Sequence, residues 1–348
     1  MKNQNDCVLD VKDLKVEFDT YGGTVQAVRG VSYRVRRGKT LGVVGESGCG
    51  KSVTVQAILQ LIPMPPGRIT SGSALLNDKE MIGMSAKEIN TIRGREVGVI
   101  FQDPMSSLNP TMKIGHQIAE TVKVHQGASD EEAMQKAVSL LEKTKIPEAA
   151  KRAKQYPFEF SGGMLQRAII AMSMACDPLL LVADEPTTAL DVTIQAQTLE
   201  VMHELQKNHG MSIILITHDL GVIAKMANDV AVMYAGQVIE AGPVDDIFYR
   251  SAHPYTLGLR YAMPTNIEGG HRKLMPIDGS PPDLFKPPKG CGYYARCPFA
   301  MHVCEKHIPD EFTISGEHFA RCWLQHPTAP KVEGKLDLFQ VGHTENVL

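Results

Sequence analysis

Residues 45–53 combine glycines, a lysine and a serine at a spacing that suits phosphate binding: Gly45, Glu46, Ser47, Gly48, Cys49, Gly50, Lys51, Ser52 and Val53. Glycines allow the backbone to wrap closely around a polyphosphate, so that consecutive N–H groups point at the anion. The helix predicted to follow adds the positive end of its dipole. Lys51 is expected to contact the β- and γ-phosphates, and the Ser52 hydroxyl to bind Mg²⁺. The pattern therefore predicts a nucleoside triphosphate site.

A second group of chemically active residues follows an apolar stretch that ends in two carboxylates, Asp184 and Glu185. We expect this stretch to be a strand that places Asp184 in the Mg²⁺ shell, since carboxylate oxygens are preferred Mg²⁺ ligands. Glu185 then lies beyond the γ-phosphate, where a carboxylate can polarise an attacking water. Together with the phosphate pattern, the two acids predict hydrolysis of the triphosphate.

Between these two motifs lies the segment Phe160-Ser161-Gly162-Gly163-Met164-Leu165-Gln166-Arg167. It resembles the LSGGQ-like signature of the ABC ATPase family, from which Phe160 and Met164 depart at the edges. Its Ser and two glycines head a predicted helix, whose free N–H groups can receive a phosphate. The resemblance implies that this segment closes over the phosphate loop of a second subunit, so that hydrolysis needs a dimer. The signature residues are Ser161, Gly162, Gly163 and Met164.

Further single positions match the same family. Gln102 follows an apolar strand, as the Q-loop glutamine does, and Asp191 resembles the D-loop aspartate. His218 ends another strand and resembles the switch histidine, which contacts the γ-phosphate. Tyr21 is the candidate to stack on adenine, with Phe18 as the alternative. The implied ligands are ATP and Mg²⁺, the implied catalytic residues are Glu185, His218 and Gln102, and the implied Mg²⁺ ligands are Ser52, Gln102 and Asp184.

Three longer stretches narrow the resemblance: residues 100–110, residues 184–197 and His253-Pro254-Tyr255-Thr256. They look like the ATP-binding subunits of bacterial oligopeptide and dipeptide importers, and the likeness extends over about residues 8–325. It implies a peripheral ATPase on the cytoplasmic face of the cell membrane that energises peptide import. The implied partners are a second ABC ATPase subunit in a heterodimer, two transmembrane permease subunits and an extracytoplasmic peptide-binding protein.

The sequence leaves alternatives open for both the transported cargo and the class of protein. Related subunits serve importers of nickel, glutathione and metal chelates, and no feature of this sequence contacts the cargo. An ABC ATPase that acts on DNA or ribosomes is an alternative of a different class. Such proteins join two ATPase halves and carry a basic face, whereas this chain has one half and a net charge of −3, from 36 Lys and Arg against 39 Asp and Glu. We therefore expect no nucleic-acid partner.

The elements that must position these residues indicate an α/β fold. Apolar strands are predicted at residues 40–44, 97–101, 179–183 and 212–217, with helices at 53–61 and 193–207 and another after Ser161. Apolar strands separated by helices are typical of a mostly parallel sheet covered on both faces. The family resemblance implies a P-loop NTPase domain over residues 1–252, with a RecA-like core, an antiparallel β subdomain and a helical signature subdomain at about 103–176.

Beyond residue 252 the composition changes. Prolines punctuate a C-terminal region predicted at 253–330, and a polar tail follows at 331–348. Four cysteines fall within this region, and four thiolates suit either a 4Fe–4S iron–sulfur cluster or tetrahedral Zn²⁺. Structural zinc sites usually contain a closely spaced cysteine pair, which is missing here, and some peptide importers carry a cluster in this region. The candidate iron–sulfur ligands are Cys291, Cys297, Cys304 and Cys322, with unliganded thiols as the remaining alternative.

Overall fold

The computed structural model describes residues 6–188, 190–263, 266–267, 270–271 and 276–330. The predicted tail at 331–348 and Ala189 of the predicted D-loop lie outside these residues. The strands are β1 (Cys7–Thr20), β2 (Gly23–Arg36), β3 (Thr40–Val44), β4 (Gly67–Leu76), β5 (Lys79–Glu80), β6 (Val97–Ile100), β7 (Leu180–Asp184), β8 (Ser212–Thr217), β9 (Asp229–Tyr234), β10 (Gln237–Pro243), β11 (Asn266–Ile267), β12 (Gly270–His271), β13 (Phe312–Ser315) and β14 (His318–Ala320).

Helices connect and cover these strands. They are α1 (Lys51–Ile58), α2 (Ala86–Ile92), α3 (Pro104–Ser107), α4 (Ile114–Gln126), α5 (Asp130–Lys143), α6 (Ala149–Arg152), α7 (Gly162–Ser173), α8 (Val192–His209), α9 (Leu220–Met226), α10 (Val244–Tyr249), α11 (Pro254–Tyr261) and α12 (His302–Lys306). None of the helices in the described part of the chain combines the length and apolar character needed to cross a membrane.

A four-stranded antiparallel sheet, in the order β2-β1-β4-β5, forms the N-terminal β subdomain. Leu14 and Val16 of β1 and Val31 and Val35 of β2 are fully buried, as the alternation of apolar and polar residues predicts. Tyr21 lies in the short turn between β1 and β2. This sheet therefore carries the predicted adenine-stacking residue at one of its ends.

The central sheet has eight strands in the order β13-β14-β10-β9-β3-β8-β7-β6. Strands β6, β7, β8, β3 and β9 are parallel, and every residue of β3, β7 and β8 is buried. Burial of whole strands is what helices on both faces of a sheet produce. Because parallel strands share one carboxyl edge, the segments that follow β3, β6, β7 and β8 meet there.

A helical subdomain, α3 to α7, lies between β6 and β7. Ser129 caps α5, and its side chain and that of Glu132 form a capping box. The apolar face of α5 is buried in the subdomain core, with Ala137 and Leu141 fully inaccessible. This packing supports α7, whose first turn carries the predicted signature.

The C-terminal region joins the central sheet, because β14 pairs with β10 and β13 pairs with β14. A buried carboxylate strengthens the junction. Glu240 of β10 accepts hydrogen bonds from the backbone N–H groups of Ala252 and His253, and its Oε1 lies 2.8 Å from Nε2 of His318. The strands β9, β10, β13 and β14 are absent from the sequence prediction, and β13 and β14, with four and three residues, are too short to show a period.

Candidate functional site

The predicted phosphate loop connects β3 to α1 at the carboxyl edge of the central sheet. Gly50 precedes the helix with φ of 98°, and a Cβ there would lie 2.5 Å from the carbonyl oxygen of Ala27. Only glycine suits this combination of left-handed backbone and close approach. The Lys51 side chain is buried, and its ammonium donates to the carbonyl oxygens of Gly45 (2.8 Å) and Glu46 (3.0 Å).

The predicted Mg²⁺ ligands Ser52 and Asp184 are neighbours. The Ser52 hydroxyl donates to Oδ1 of Asp184 at 2.8 Å, which joins the start of α1 to the end of β7. Burial raises the pKa of Asp184 above its ordinary value, although the hydrogen bond from Ser52 opposes the shift. One hydroxyl and one carboxylate therefore stand together where a divalent cation would contact both.

Glu185 is the centre of the predicted catalytic group. Its Oε2 accepts hydrogen bonds from Nε2 of Gln102 (3.0 Å) and the hydroxyl of Thr188 (2.9 Å), and its Oε1 lies 3.3 Å from Nδ1 of His218. Burial alone would raise the pKa of Glu185, but the hydrogen bonds from Thr188 and His218 hold it below its ordinary value. An ionised carboxylate can accept a proton from water.

Thr188 is absent from the sequence prediction. It lies three residues after Glu185, within the segment that resembles peptide-importer ATPases, but spacing alone does not reveal that its hydroxyl points back to the carboxylate. Backbone geometry makes this contact, because Glu185 adopts a left-handed conformation with φ of 47° and the chain turns after β7. The structure thus brings Gln102, Glu185 and His218 together and adds Thr188 to them.

The predicted signature begins α7. Ser161 is its N-cap, and the hydroxyl accepts a weak hydrogen bond from the Met164 N–H at 3.4 Å. A Cβ added at Gly162 would meet no described atom within 4 Å, whereas one at Gly163 would lie 2.7 Å from Cγ2 of Ile194. Gly162 therefore faces open space, which leaves room for a second molecule at this helix N-terminus.

Asp191 and Tyr21 take different positions from the catalytic group. Asp191 is the N-cap of α8, and its carboxylate accepts from the Ile194 N–H at 2.9 Å. The Tyr21 side chain is fully exposed at its turn. The neighbouring Gly22 lies against the ring of Phe285, a residue that the sequence prediction omits. Stacking of Tyr21 on adenine stays a prediction.

Glu46 of the phosphate loop faces the C-terminal region. Its carboxylate accepts two hydrogen bonds from the Arg296 guanidinium, at 2.7 and 2.9 Å, and its backbone N–H donates to the Tyr255 hydroxyl at 2.8 Å. Neither partner was predicted from the sequence, since each is more than 200 residues away in the chain. The C-terminal region is therefore in direct contact with the predicted phosphate loop.

The four C-terminal cysteines line one small pocket, together with His253 and Tyr293 among others. Burial raises the pKa of Cys291 to about 11 and those of Cys297 and Cys322 to about 12, and the neighbouring thiols add to each shift. Within the described ranges, no three or more His, Cys, Asp or Glu side chains are grouped closely enough to hold a single metal ion. The sulfurs converge without forming a tight single-ion site.

Comparisons with known proteins agree with this architecture. The ABC transporter family profile matches residues 28–188, and the profile of the oligopeptide/dipeptide transporter C-terminal region matches residues 239–304. The fold is similar to a dimeric ATP-binding cassette in a post-hydrolysis state bound to ADP and phosphate (TM-score 0.61, 24 % identity, 68 % of this chain and 98 % of that one). It is also similar to CbiO1 of Clostridium perfringens, part of an ABC transporter complex (TM-score 0.60, 26 % identity, 73 % and 96 %). The fold and the site define an ABC-type ATPase.

Curated relatives narrow the class. The chain is 56 % identical to the oligopeptide transport ATP-binding protein OppD of Bacillus subtilis, over 94 % of this chain and 91 % of that protein. Identity to the dipeptide transport ATP-binding protein DppD of Bacillus subtilis is 51 %, over 92 % and 96 %. Identity to OppD of Escherichia coli is 47 %, over 90 % and 92 %. The chain belongs to the family of oligopeptide and dipeptide transport ATP-binding proteins.

Proposed function

We propose that this chain binds ATP with Mg²⁺ and hydrolyses it to energise the import of dipeptides and oligopeptides through an ABC transporter. One observation carries the proposal: the Glu185 carboxylate, held by Gln102 and Thr188, stands beside the Ser52–Asp184 pair at the carboxyl edge of the sheet. The chain is also 56 % identical to an oligopeptide transport ATP-binding protein, and this similarity supports the same role here.

Each side chain has a separate task in this proposal. Lys51 exchanges its carbonyl partners for the β- and γ-phosphates, and the phosphate loop receives the remaining oxygens through its N–H groups. Ser52 and Asp184 would hold Mg²⁺, with Gln102 as a further ligand. Glu185 accepts a proton from the attacking water, and His218 keeps the carboxylate in position. Tyr21 stacks on the adenine ring.

The proposed transporter contains further subunits. Ser161, Gly162, Gly163 and Met164 act in trans, on nucleotide held by a second ABC ATPase subunit, and a heterodimer is our proposal for that pair. Two transmembrane permease subunits supply the pathway, and an extracytoplasmic binding protein delivers the peptide. The chain then sits peripherally on the cytoplasmic face of the membrane. Open space at Gly162 supports the arrangement, because a phosphate group can approach this helix N-terminus.

We also propose that Cys291, Cys297, Cys304 and Cys322 hold a 4Fe–4S iron–sulfur cluster. The four cysteines line one small pocket, and their spacing in the sequence lacks the closely spaced pair usual in structural zinc sites. A cluster binds its cysteines through separate iron atoms, so its ligands stand farther apart. When bound, it would cross-link the segments that carry the cysteines, among them α12, which contains Cys304. Zinc and unliganded thiols are the alternatives.

Glu185→Gln tests the hydrolytic role. The substitution keeps the shape and a hydrogen-bonding side chain but removes the proton acceptor, so we expect ATP binding to persist while turnover falls about 100-fold or more. The measurement is ATP binding and hydrolysis by the assembled transporter. Glu200→Gln, at an exposed position of α8, is the matched control and should hydrolyse ATP normally. Unchanged turnover in Glu185→Gln would contradict the assignment.

The same variant tests the cargo when it is placed at the native locus. Uptake of labelled dipeptides and oligopeptides should be lost in Glu185→Gln cells and retained in Glu200→Gln cells. Loss of nickel uptake with intact peptide uptake would keep the ATPase role and replace the cargo. A normal phenotype for every transported compound would argue against the importer.

A further inference from the structure

The phosphate loop is tied to the C-terminal region by an ion pair that is largely hidden from solvent. Nη1 and Nη2 of Arg296 contact the two carboxylate oxygens of Glu46 at 2.7 and 2.9 Å, and the Arg296 side chain is only 5 % exposed. Paired contacts of this kind fix both distance and orientation. The contact joins residue 296 to the second residue of the predicted phosphate pattern.

Arg296 is itself held from several sides. Its Nε donates to the carbonyl oxygen of Asp278 (2.8 Å), Nη2 donates to that of Ile277 (3.2 Å), and Nη1 donates to the Tyr234 hydroxyl (3.1 Å). The guanidinium also lies over the rings of Tyr234 and Tyr293, 5.8 and 5.9 Å from their centroids. A guanidinium with this many partners cannot follow Glu46 if the loop moves, so it acts as a fixed anchor.

A second contact anchors the backbone at the same position. The Glu46 N–H donates to the hydroxyl of Tyr255, and the Tyr255 ring packs against Tyr234 and Tyr293 with centroid distances of 4.6 and 5.4 Å. Tyr293 also lines the cysteine pocket. Both the side chain and the main chain of Glu46 are thus attached to one aromatic cluster, which joins Tyr234 of β9 to Tyr255 and Tyr293 of the C-terminal region.

The charge of Glu46 makes this anchoring relevant to ATP. A carboxylate within a phosphate-binding loop has the same sign as the polyphosphate, and the repulsion is strong where burial lowers the dielectric. Arg296 cancels that charge and keeps the carboxylate turned toward the C-terminal region. We propose that Arg296, acting through Glu46, is a positioning residue for ATP binding. The inference rests on the proposed ATP site but adds a residue that contacts no nucleotide.

Nucleotide affinity of the full-length chain tests the proposal, with a fluorescent ATP analogue titrated in the presence of Mg²⁺. Arg296→Gln leaves Glu46 charged and unpaired, and we expect Kd to rise about tenfold, a change equivalent to about 1.4 kcal/mol. The double variant E46Q/R296Q removes the unpaired charge as well and should return Kd to within about threefold of wild type. Arg296→Lys keeps the charge without the paired geometry, and its Kd should lie between those of Arg296→Gln and the double variant.

The matched control is Arg36→Gln. Arg36 makes a similar paired contact with Asp229, at 2.6 and 2.8 Å, and Asp229 begins β9 at the other end of that strand. Its loss should lower thermal stability without changing Kd. The inference is overturned if Arg296→Gln binds as tightly as wild type, if Arg36→Gln weakens binding equally, or if the double variant shows no recovery. Binding that survives Lys51→Ala would instead argue against the proposed ATP site.

Discussion

At the scale of single residues, the Glu185 carboxylate is oriented by three neighbours that come from three segments. Gln102 and Thr188 donate to one oxygen, and His218 approaches the other. Because both oxygens are engaged, the carboxylate has little rotational freedom, and a proton acceptor held in one orientation costs less to align in the transition state. Thr188 is the member of this group that lacks any predicted contact with nucleotide or metal.

Thr188→Val tests orientation separately from proton acceptance. Valine has nearly the same shape, so the variant removes only the hydrogen bond to Glu185. Such a bond to a charged group contributes about 1.5–3 kcal/mol, and we expect kcat for ATP hydrolysis to fall about tenfold with ATP affinity unchanged. Thr193→Val, at an exposed position of α8, provides the control. If the two variants hydrolyse ATP at the same rate, Thr188 has no orienting role.

At the scale of elements, α7 shows how a helix can be packed within the chain and still present one end to a partner. Gly163 lies against Ile194, at the start of α8, whereas Gly162 faces open space. Most of the rest of α7 is apolar and buried, with Ala168 and Ile170 fully inaccessible. A side chain at Gly163 would therefore overlap its own chain, whereas a side chain at Gly162 would occupy only the space open to a partner.

Substitution of these glycines separates the two reasons. Gly162→Ala should unfold at the wild-type temperature, because the new methyl group meets no described atom. If the signature approaches a partner's nucleotide, that methyl group intrudes there, and ATP-dependent association in the Glu185→Gln background should weaken about tenfold. Gly163→Ala should instead lose about 1–3 kcal/mol of stability, since its methyl group overlaps Ile194. Normal association of Gly162→Ala would contradict a signature that acts in trans.

At the scale of the whole molecule, the C-terminal region is continuous with the ATPase core. It extends the central sheet through β14 and β13, and it anchors the phosphate loop through Arg296 and Tyr255. Arg296 directly precedes Cys297, and Tyr293 belongs to the aromatic cluster and also lines the cysteine pocket. The order of this region therefore affects both the edge of the sheet and the proposed nucleotide site.

Iron content and stability test the proposed cluster at this scale. Protein purified anaerobically should absorb at about 400 nm and contain about four iron atoms per chain. The variant Cys291→Ser should lose both the absorbance and the iron, and it should unfold at a lower temperature. The loss of stability follows because ligand binding contributes to the free energy of folding. Cys7→Ser, outside the pocket, is the control. Stoichiometric zinc, or a chain free of both metals, would overturn the cluster.

The predictable part of this protein is the part whose chemistry is local in sequence. The phosphate pattern, the acid pair after an apolar strand and the capping box at Ser129 each lie within a few residues, so their spacing alone predicts the local structure. Strands β3 and β8 were predicted with the bounds that the structure has. Fully apolar strands between helices also indicate a parallel sheet, whose carboxyl edge collects the loops after it.

Contacts between distant segments were decided only by the tertiary structure. Spacing says nothing about the distance between residues 46 and 296, and short strands such as β13 and β14 have too few residues to show a period. The pairing of β14 with β10 carries the C-terminal region back to the sheet, and packing of three tyrosines then brings Arg296 to Glu46. The sequence by itself determined the predicted nucleotide chemistry, because the residues for that chemistry lie in short motifs. The tertiary structure decided what surrounds it, because burial and charge pairing act across the whole chain.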